Sequence, residues 1–177
     1  MSYVKKLTGK NPKDFEFAAS HIVNNCDTEA FSALVEQSDF LFDFIKENVK
    51  KRLASVITSY NYKNLLSFLK IYSSDYEDFI ISVLVKFSDE ELTDKMLDLL
   101  ENGTEAEKAY CAKYFSRVND TLSIDLLRKY SYSDFDALAI NCAEALSAMK
   151  DEESYNLAVE KLRSSDEFEK LAAVRFL

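Results

Sequence analysis

The chain predicts an all-α fold of stacked helical hairpins, and three observations carry that expectation. Residues 79–89, 110–120 and 141–151 each end in Asp and stand 31 residues apart. A period in this range marks architectures in which one supersecondary unit is repeated and stacked. Only 2 Gly and 1 Pro occur in 177 residues, whereas turn-rich β architectures depend on both. Apolar residues also recur at helical spacing, as in Phe15, Ala18, Ala19, Ile22 and Val23. These fall at i, i+3, i+4, i+7 and i+8, one stripe of a helix.

Taken in order, residues 1–12 read as a polar lead-in with a loose cluster of Lys5, Lys6, Lys10 and Lys13. A first helix is expected over about 13–25. Asp27 is placed to cap the next, whose core positions are Ala30, Phe31, Leu34 and Val35. A longer helix is expected over about 39–59, with Phe40, Leu41, Phe44, Ile45, Val49, Leu53, Val56 and Ile57 on one broad apolar face. Lys46, Lys50, Lys51 and Arg52 line another. Its partner spans 63–72 through Leu65, Leu66 and Leu69, with Phe68 as a further candidate. This second unit fits the period poorly, because aligning Ala54 with Ile81 takes an offset of 27.

From residue 74 the pattern is regular. Helices are expected at 75–87, 89–102, 104–118, 121–130, 133–149, 151–163 and 166–177. Ser74 with Glu77, Ser88 with Glu91, Thr104 with Glu107, Ser164 with Glu167 and, more weakly, Ser133 with Asp136 have capping-box spacing. Connections this short force neighbouring helices antiparallel. No hairpin buries its own apolar stripe, so stacking must supply the core. Ala112, Ala143 and Ala173 allow close approach, and Phe115, Leu146 and Phe176, three positions on, fill the space between layers.

Residues 142–146 (Cys-Ala-Glu-Ala-Leu) followed by Lys150-Asp151-Glu152, and residues 171–177, carry a further signal. The run Ala-Ala-x-x-x-Leu, a polar turn with Asp and a short second helix resembles HEAT-like repeats, nearest to the short bacterial type of the phycobilin lyases. The likeness is close over 75–177 and weak over 13–72. Ser116 and Ser147 stand where that family usually has Gly. The resemblance implies a right-handed α-α superhelix over 13–177, about five hairpins plus a final unpaired helix. The expected solenoid continues past Leu177, where an uncapped layer of Leu171, Val174 and Leu177 invites self-association.

The net charge of −9 is localised: residues 75–107 hold eleven Asp/Glu against two Lys. Such a field repels nucleic acid and anionic lipid and favours basic partners. Cys26, Cys111 and Cys142 are too few and too far apart for a disulfide framework or a zinc site, and Cys111 and Cys142 occupy equivalent repeat positions as small core residues. No apolar run is long enough to span a membrane, and the start lacks a secretory pattern, so a reducing cytoplasm is expected.

Catalytic chemistry finds little support. His21 is the sole His, on the first helix beside the core stripe, and reads as structural. With Gly9 and Gly103 alone no phosphate loop is possible. Asp89, Glu90, Glu91, Asp94 and Asp98 lack the Gly turn of a calcium loop, and helix starts favour carboxylates. The regular Asp89, Asp120 and Asp151 read as caps. Tyr60, Tyr62, Tyr130 and Tyr132 fall at helix ends, outside the core spacing. No cofactor or metal is expected.

In HEAT-like solenoids the second helices line the concave side. On this chain that side includes 62–72, 89–102, 121–130 and 151–163, and its outward positions Glu91, Asp94, Lys95, Asp98 and Glu101 form an acidic patch. The expectation is a non-enzymatic scaffold binding a basic or amphipathic protein segment there, with neither nucleic acid nor membrane as partner. The resemblance also admits a lyase acting on a tetrapyrrole, or an alkylpurine DNA glycosylase. No residue marks a pigment pocket. The glycosylase would need a basic groove, for which only the face from Lys46 to Arg52 offers material.

Overall fold

The computed structural model describes residues 3–165, 167–174 and 176. All regular structure among the described residues is helical, and helices near in sequence pack on one another. The chain divides into two compact units, residues 1–88 and 89–177.

The first unit contains α1 (Tyr3–Leu7), α2 (Pro12–Asn24), α3 (Thr28–Ser38), α4 (Asp43–Ala54), a 3-10 helix (Tyr62–Lys70) and α5 (Ser74–Lys86). The stretch read as a polar lead-in carries α1. Val4 and Leu7, three positions apart, are buried where α1 packs on α2 and α3. Arg52 fastens this end: its guanidinium donates to the Leu7 carbonyl and lies 4.1 Å from the centre of the Phe15 ring. Asn11 caps α2 by accepting from Lys13 N at 3.2 Å, with Pro12 opening the helix. Asp27 caps α3 by accepting from Ala30 N at 3.0 Å. Phe31 stacks on Phe68 at 4.6 Å and meets Tyr76 edge-on at 5.7 Å, which joins α3, the 3-10 helix and α5 in one core.

The long helix suggested by the apolar residues of 39–59 is shorter and differently faced. α4 begins at Asp43, and of the eight residues assigned to its apolar face only Val49 and Leu53 are buried. Phe40 and Phe44 are 86% and 66% exposed. Residues 39–42 form a turn in which Phe40 N donates to Gln37 O (3.1 Å) and Leu41 N to Ser38 O (3.0 Å), so the helical period is broken before α4 starts.

The second unit contains α6 (Glu90–Asn102), α7 (Glu105–Val118), a 3-10 turn (Thr121–Ser123), α8 (Ile124–Tyr130), α9 (Asp136–Ala148), α10 (Glu152–Lys161) and α11 (Glu167–Val174). Among the described residues, α7 and α9 make the most extensive contact of any two elements. Ala109, Cys111, Ala112, Ala139, Cys142 and Ala143 are buried on these helices, and small side chains let two backbones approach closely. Tyr110, Tyr114, Phe115, Leu138 and Leu146 fill the remainder. The buried Asn141 amide donates to Ala109 O at 3.0 Å, and Lys113 reaches Glu144 at 2.6 Å, so α7 and α9 are in register at close to the sequence period. α11 packs on α10 with Leu171 and Val174 exposed; Leu177 lies outside the described residues.

The regular Asp residues are caps. Asp89, Asp120 and Asp151 accept from Leu92 N (2.7 Å), Leu122 N (2.9 Å) and Ser154 N (3.0 Å). Cys26, Asn119 and Lys150, each just before a capping Asp, adopt left-handed backbone with φ of 51°, 59° and 56°. At Asp27 and Asp151 the amide reaches back to Ile22 O and Leu146 O, both at 3.0 Å. The preceding helix is thus closed by a Schellman turn while the Asp carboxylate opens the next one.

Of the capping boxes read from spacing, the Thr104–Glu107 pair forms one, with Glu107 Oε2 accepting from Thr104 N at 2.8 Å. Ser74 and Ser88 are not N-caps, because Ser73 and Asp89 occupy those positions. Ser133 accepts from Phe135 N (3.1 Å), one residue short of a box, and the Ser164–Glu167 spacing spans residue 166, outside the described residues.

Candidate functional site

α6 presents one apolar and one acidic stripe. Asp89 caps it, and Glu90 and Glu91 occupy its first turn, where the helix dipole favours carboxylates. Leu92, Met96 and Leu100, four apart, are buried, fixing the rotation of the helix. Glu91, Asp94, Lys95, Asp98 and Glu101 consequently lie together on the opposite side, and all five are exposed. Four carboxylates against one ammonium give the stripe a charge of −3. Asp98 accepts from Asn102 Nδ2 at 2.9 Å, a local contact within the helix.

Two polar contacts tie α6, α8 and α10 in series. The Tyr130 hydroxyl at the end of α8 donates to Glu101 O at the end of α6 (3.1 Å). Arg128 on α8 forms a two-pronged pair with Asp151, through Nε at 2.9 Å and Nη2 at 2.5 Å, and also reaches Glu153 at 2.7 Å. The Arg128 guanidinium holds the Asp151 carboxyl down from its usual 3.8 to about 2, aided by the Ser154 side chain and amide. Asp151 thereby both caps α10 and anchors it to α8.

The chain matches no protein-family model and no curated protein sequence. His21 stacks on Tyr3 at 4.3 Å, its Nε2 lies 3.2 Å from Asp27, and its Nδ1 lies 3.2 Å from the Asn25 amide. Both ring nitrogens are thus engaged at the α2–α3 turn, and the ring face holds α1 through Tyr3. Burial raises the Cys111 thiol well above its ordinary value and Cys142 to about 12, which suits core residues and not nucleophiles. Among the described residues no three His, Cys, Asp or Glu side chains are grouped to hold a metal ion, and no helix is long and apolar enough to cross a membrane.

The basic face of α4 is largely spent internally. Lys46 binds Asp75 at 3.0 Å, Lys50 binds Glu47 at 2.7 Å, and Arg52 is committed to Leu7 and Phe15. The tyrosines at helix ends divide. Tyr62 is buried against Phe87 at 5.1 Å, and Tyr130 and Tyr132 have lysines over their rings, Lys108 at 4.5 Å and Lys161 at 3.8 Å. Tyr60 is 96% exposed.

A second exposed feature escapes helical-period reasoning: Phe40, Phe42 and Phe44, at the α3–α4 turn. The signal for it is the local run from Asp39 to Phe44, in which Phe recurs at every second position inside an otherwise helical region.

Proposed function

We propose that the protein is a non-enzymatic interaction scaffold of HEAT-like type, which takes a basic or amphipathic protein segment on the acidic stripe of α6. The observation that carries this reading is the serial linkage of α6, α8 and α10 through Tyr130–Glu101 and Arg128–Asp151, on helices distinct from the closely packed α7–α9 pair. This linkage supports a stacked array in which the second helices of successive hairpins form the concave side and the first helices make the interior. The exposed carboxylates on that side steer a cationic segment toward it. Engagement of Lys46, Lys50 and Arg52 within the first unit favours a protein partner over nucleic acid, which needs cations free to neutralise phosphates.

The test uses a fluorescent Lys/Arg-rich peptide without apolar residues, titrated by anisotropy. The triple variant Asp94→Asn, Asp98→Asn and Glu101→Gln is expected to lose about tenfold in affinity, three exposed carboxylates each contributing up to about 0.5 kcal/mol. Wild-type affinity should also fall steeply between low and physiological salt. Equal affinity for the variant, or binding indifferent to salt, refutes the assignment.

A further inference from the structure

We infer that the α3–α4 turn is a second docking surface, separate from the α6 stripe, whose partner is an amphipathic helix with a leucine-type apolar face bordered by Lys or Arg. Phe40, Phe42 and Phe44 are 86%, 73% and 66% exposed. Their exposed areas sum to roughly 400 Å² within five consecutive residues, an amount of apolar surface that on monomers is often functional.

The patch is held in shape. The amides of Phe40 and Leu41 are bonded to the last turn of α3, and the Phe42 carbonyl accepts from Ile45 N at 2.8 Å and Lys46 N at 3.2 Å. The turn is therefore continuous with both helices. The rings of Phe42 and Phe44 stack within 11° of parallel with centroids 6.0 Å apart, forming an exposed aromatic pair. Such an exposed aromatic cluster suits the apolar face of a helix, with anchors spaced at i, i+3 and i+4.

Charge selects the occupant. Glu36, Asp39 and Asp43 flank the three Phe residues along the chain and are exposed, and the Asp43 side chain is fully so. The adjacent cation, Lys46, is 15% exposed, lies 4.0 Å from Asp43 and binds both oxygens of Asp75, at 3.0 and 3.1 Å, so the carboxylates outnumber it. The rim is thus acidic around an aromatic centre. A cationic rim on the partner pairs with these carboxylates, and its guanidinium or ammonium groups can lie against the exposed ring faces. Anionic lipid surfaces meet the same carboxylates as repulsion.

The experiment titrates the full chain with a fluorescein-labelled 14-residue Leu/Lys amphipathic helix, with a Leu/Glu helix of the same pattern as control. The variants are Phe40→Ala/Phe42→Ala/Phe44→Ala and Asp39→Asn/Asp43→Asn. Because the three rings are exposed, the thermal midpoint should be unchanged in both. The aromatic variant is expected to bind the Leu/Lys helix at least about tenfold more weakly, since centrally placed aromatics dominate such contacts. The carboxylate variant should lose about threefold, and the Leu/Glu helix should not bind.

An aromatic variant that binds as tightly as wild type overturns the proposal, as does equal binding of the Leu/Glu helix. Binding of wild type but not the aromatic variant to phosphatidylcholine or phosphatidylserine vesicles would assign the patch to a membrane. A fall in sedimentation coefficient on Phe→Ala substitution would assign it to a second copy; either result overturns the proposal. The α6 triple variant should retain the Phe-dependent part of Leu/Lys binding, so failure of this surface and failure of the α6 assignment give different results.

Discussion

Replacing Arg128 by Met tests the joint between α8 and α10. The substitution keeps the aliphatic stem but removes the two-pronged contact to Asp151, whose side chain is 7% exposed. In the folded protein the Asp151 carboxyl is depressed from 3.8 to about 2. By linkage that depression corresponds to about 2 kcal/mol. The guanidinium is 31% exposed and screened by solvent, so a loss of about 1–2 kcal/mol is expected at neutral pH.

Because the folded-state value is lowered, this stability is fully present above the usual value near 3.8. It fades as pH falls through about 2, and roughly half is gone near pH 3. Urea unfolding of wild type and Arg128→Met from pH 7 to pH 3 measures the difference, and carbon NMR of the Asp151 carboxyl measures its titration. The variant should raise the Asp151 midpoint toward 3.8, and the stability gap should narrow on acidification. A gap below about 0.5 kcal/mol at pH 7, or an unmoved Asp151 midpoint, refutes the reasoning.

Gly103→Ala should destabilise by about 1–3 kcal/mol, because a Cβ there would sit 2.5 Å from Leu99 O and 3.0 Å from Glu107 Cβ, at the Thr104–Glu107 capping box; an unchanged urea midpoint contradicts this. Lys150→Gly should stabilise by about 0.5–1 kcal/mol, since the exposed Lys150 holds φ 56° and Gly adopts that region without steric cost; a lower midpoint with the same m-value would show that the strain argument fails. Of the three cysteines, the half-buried Cys26 should react with Ellman's reagent in the native protein, whereas Cys111 and Cys142 should react only on unfolding. Rapid native labelling of Cys111 or Cys142 would mean that the α7–α9 core opens readily.

Legibility in the sequence followed the range of the interaction. Asp27, Asp89, Asp120 and Asp151 were readable as caps because the accepting carboxylate and its amide lie two or three residues apart. Capping-box spacing was less reliable. Ser88 has a Glu three residues on, but its neighbour Asp89 caps the same helix, and spacing cannot rank two adjacent candidates. The five residues of the α6 stripe were placed together by helical geometry alone, once Leu92, Met96 and Leu100 defined the inner side.

The helical class, the positions of most turns and the concentration of acid around α6 follow from local spacing and counted charges. Which apolar residues are interior follows from how the helices pack. Phe40 and Phe44 carry the same hydrophobicity as Phe31 and Phe68, but only the latter pair finds rings and helices to pack against. Packing also makes Val4 and Leu7 the anchor of a helix and brings Arg128 to Asp151 across 23 residues. Burial and long-range pairing belong to the arrangement of elements, and no property of a single segment encodes them.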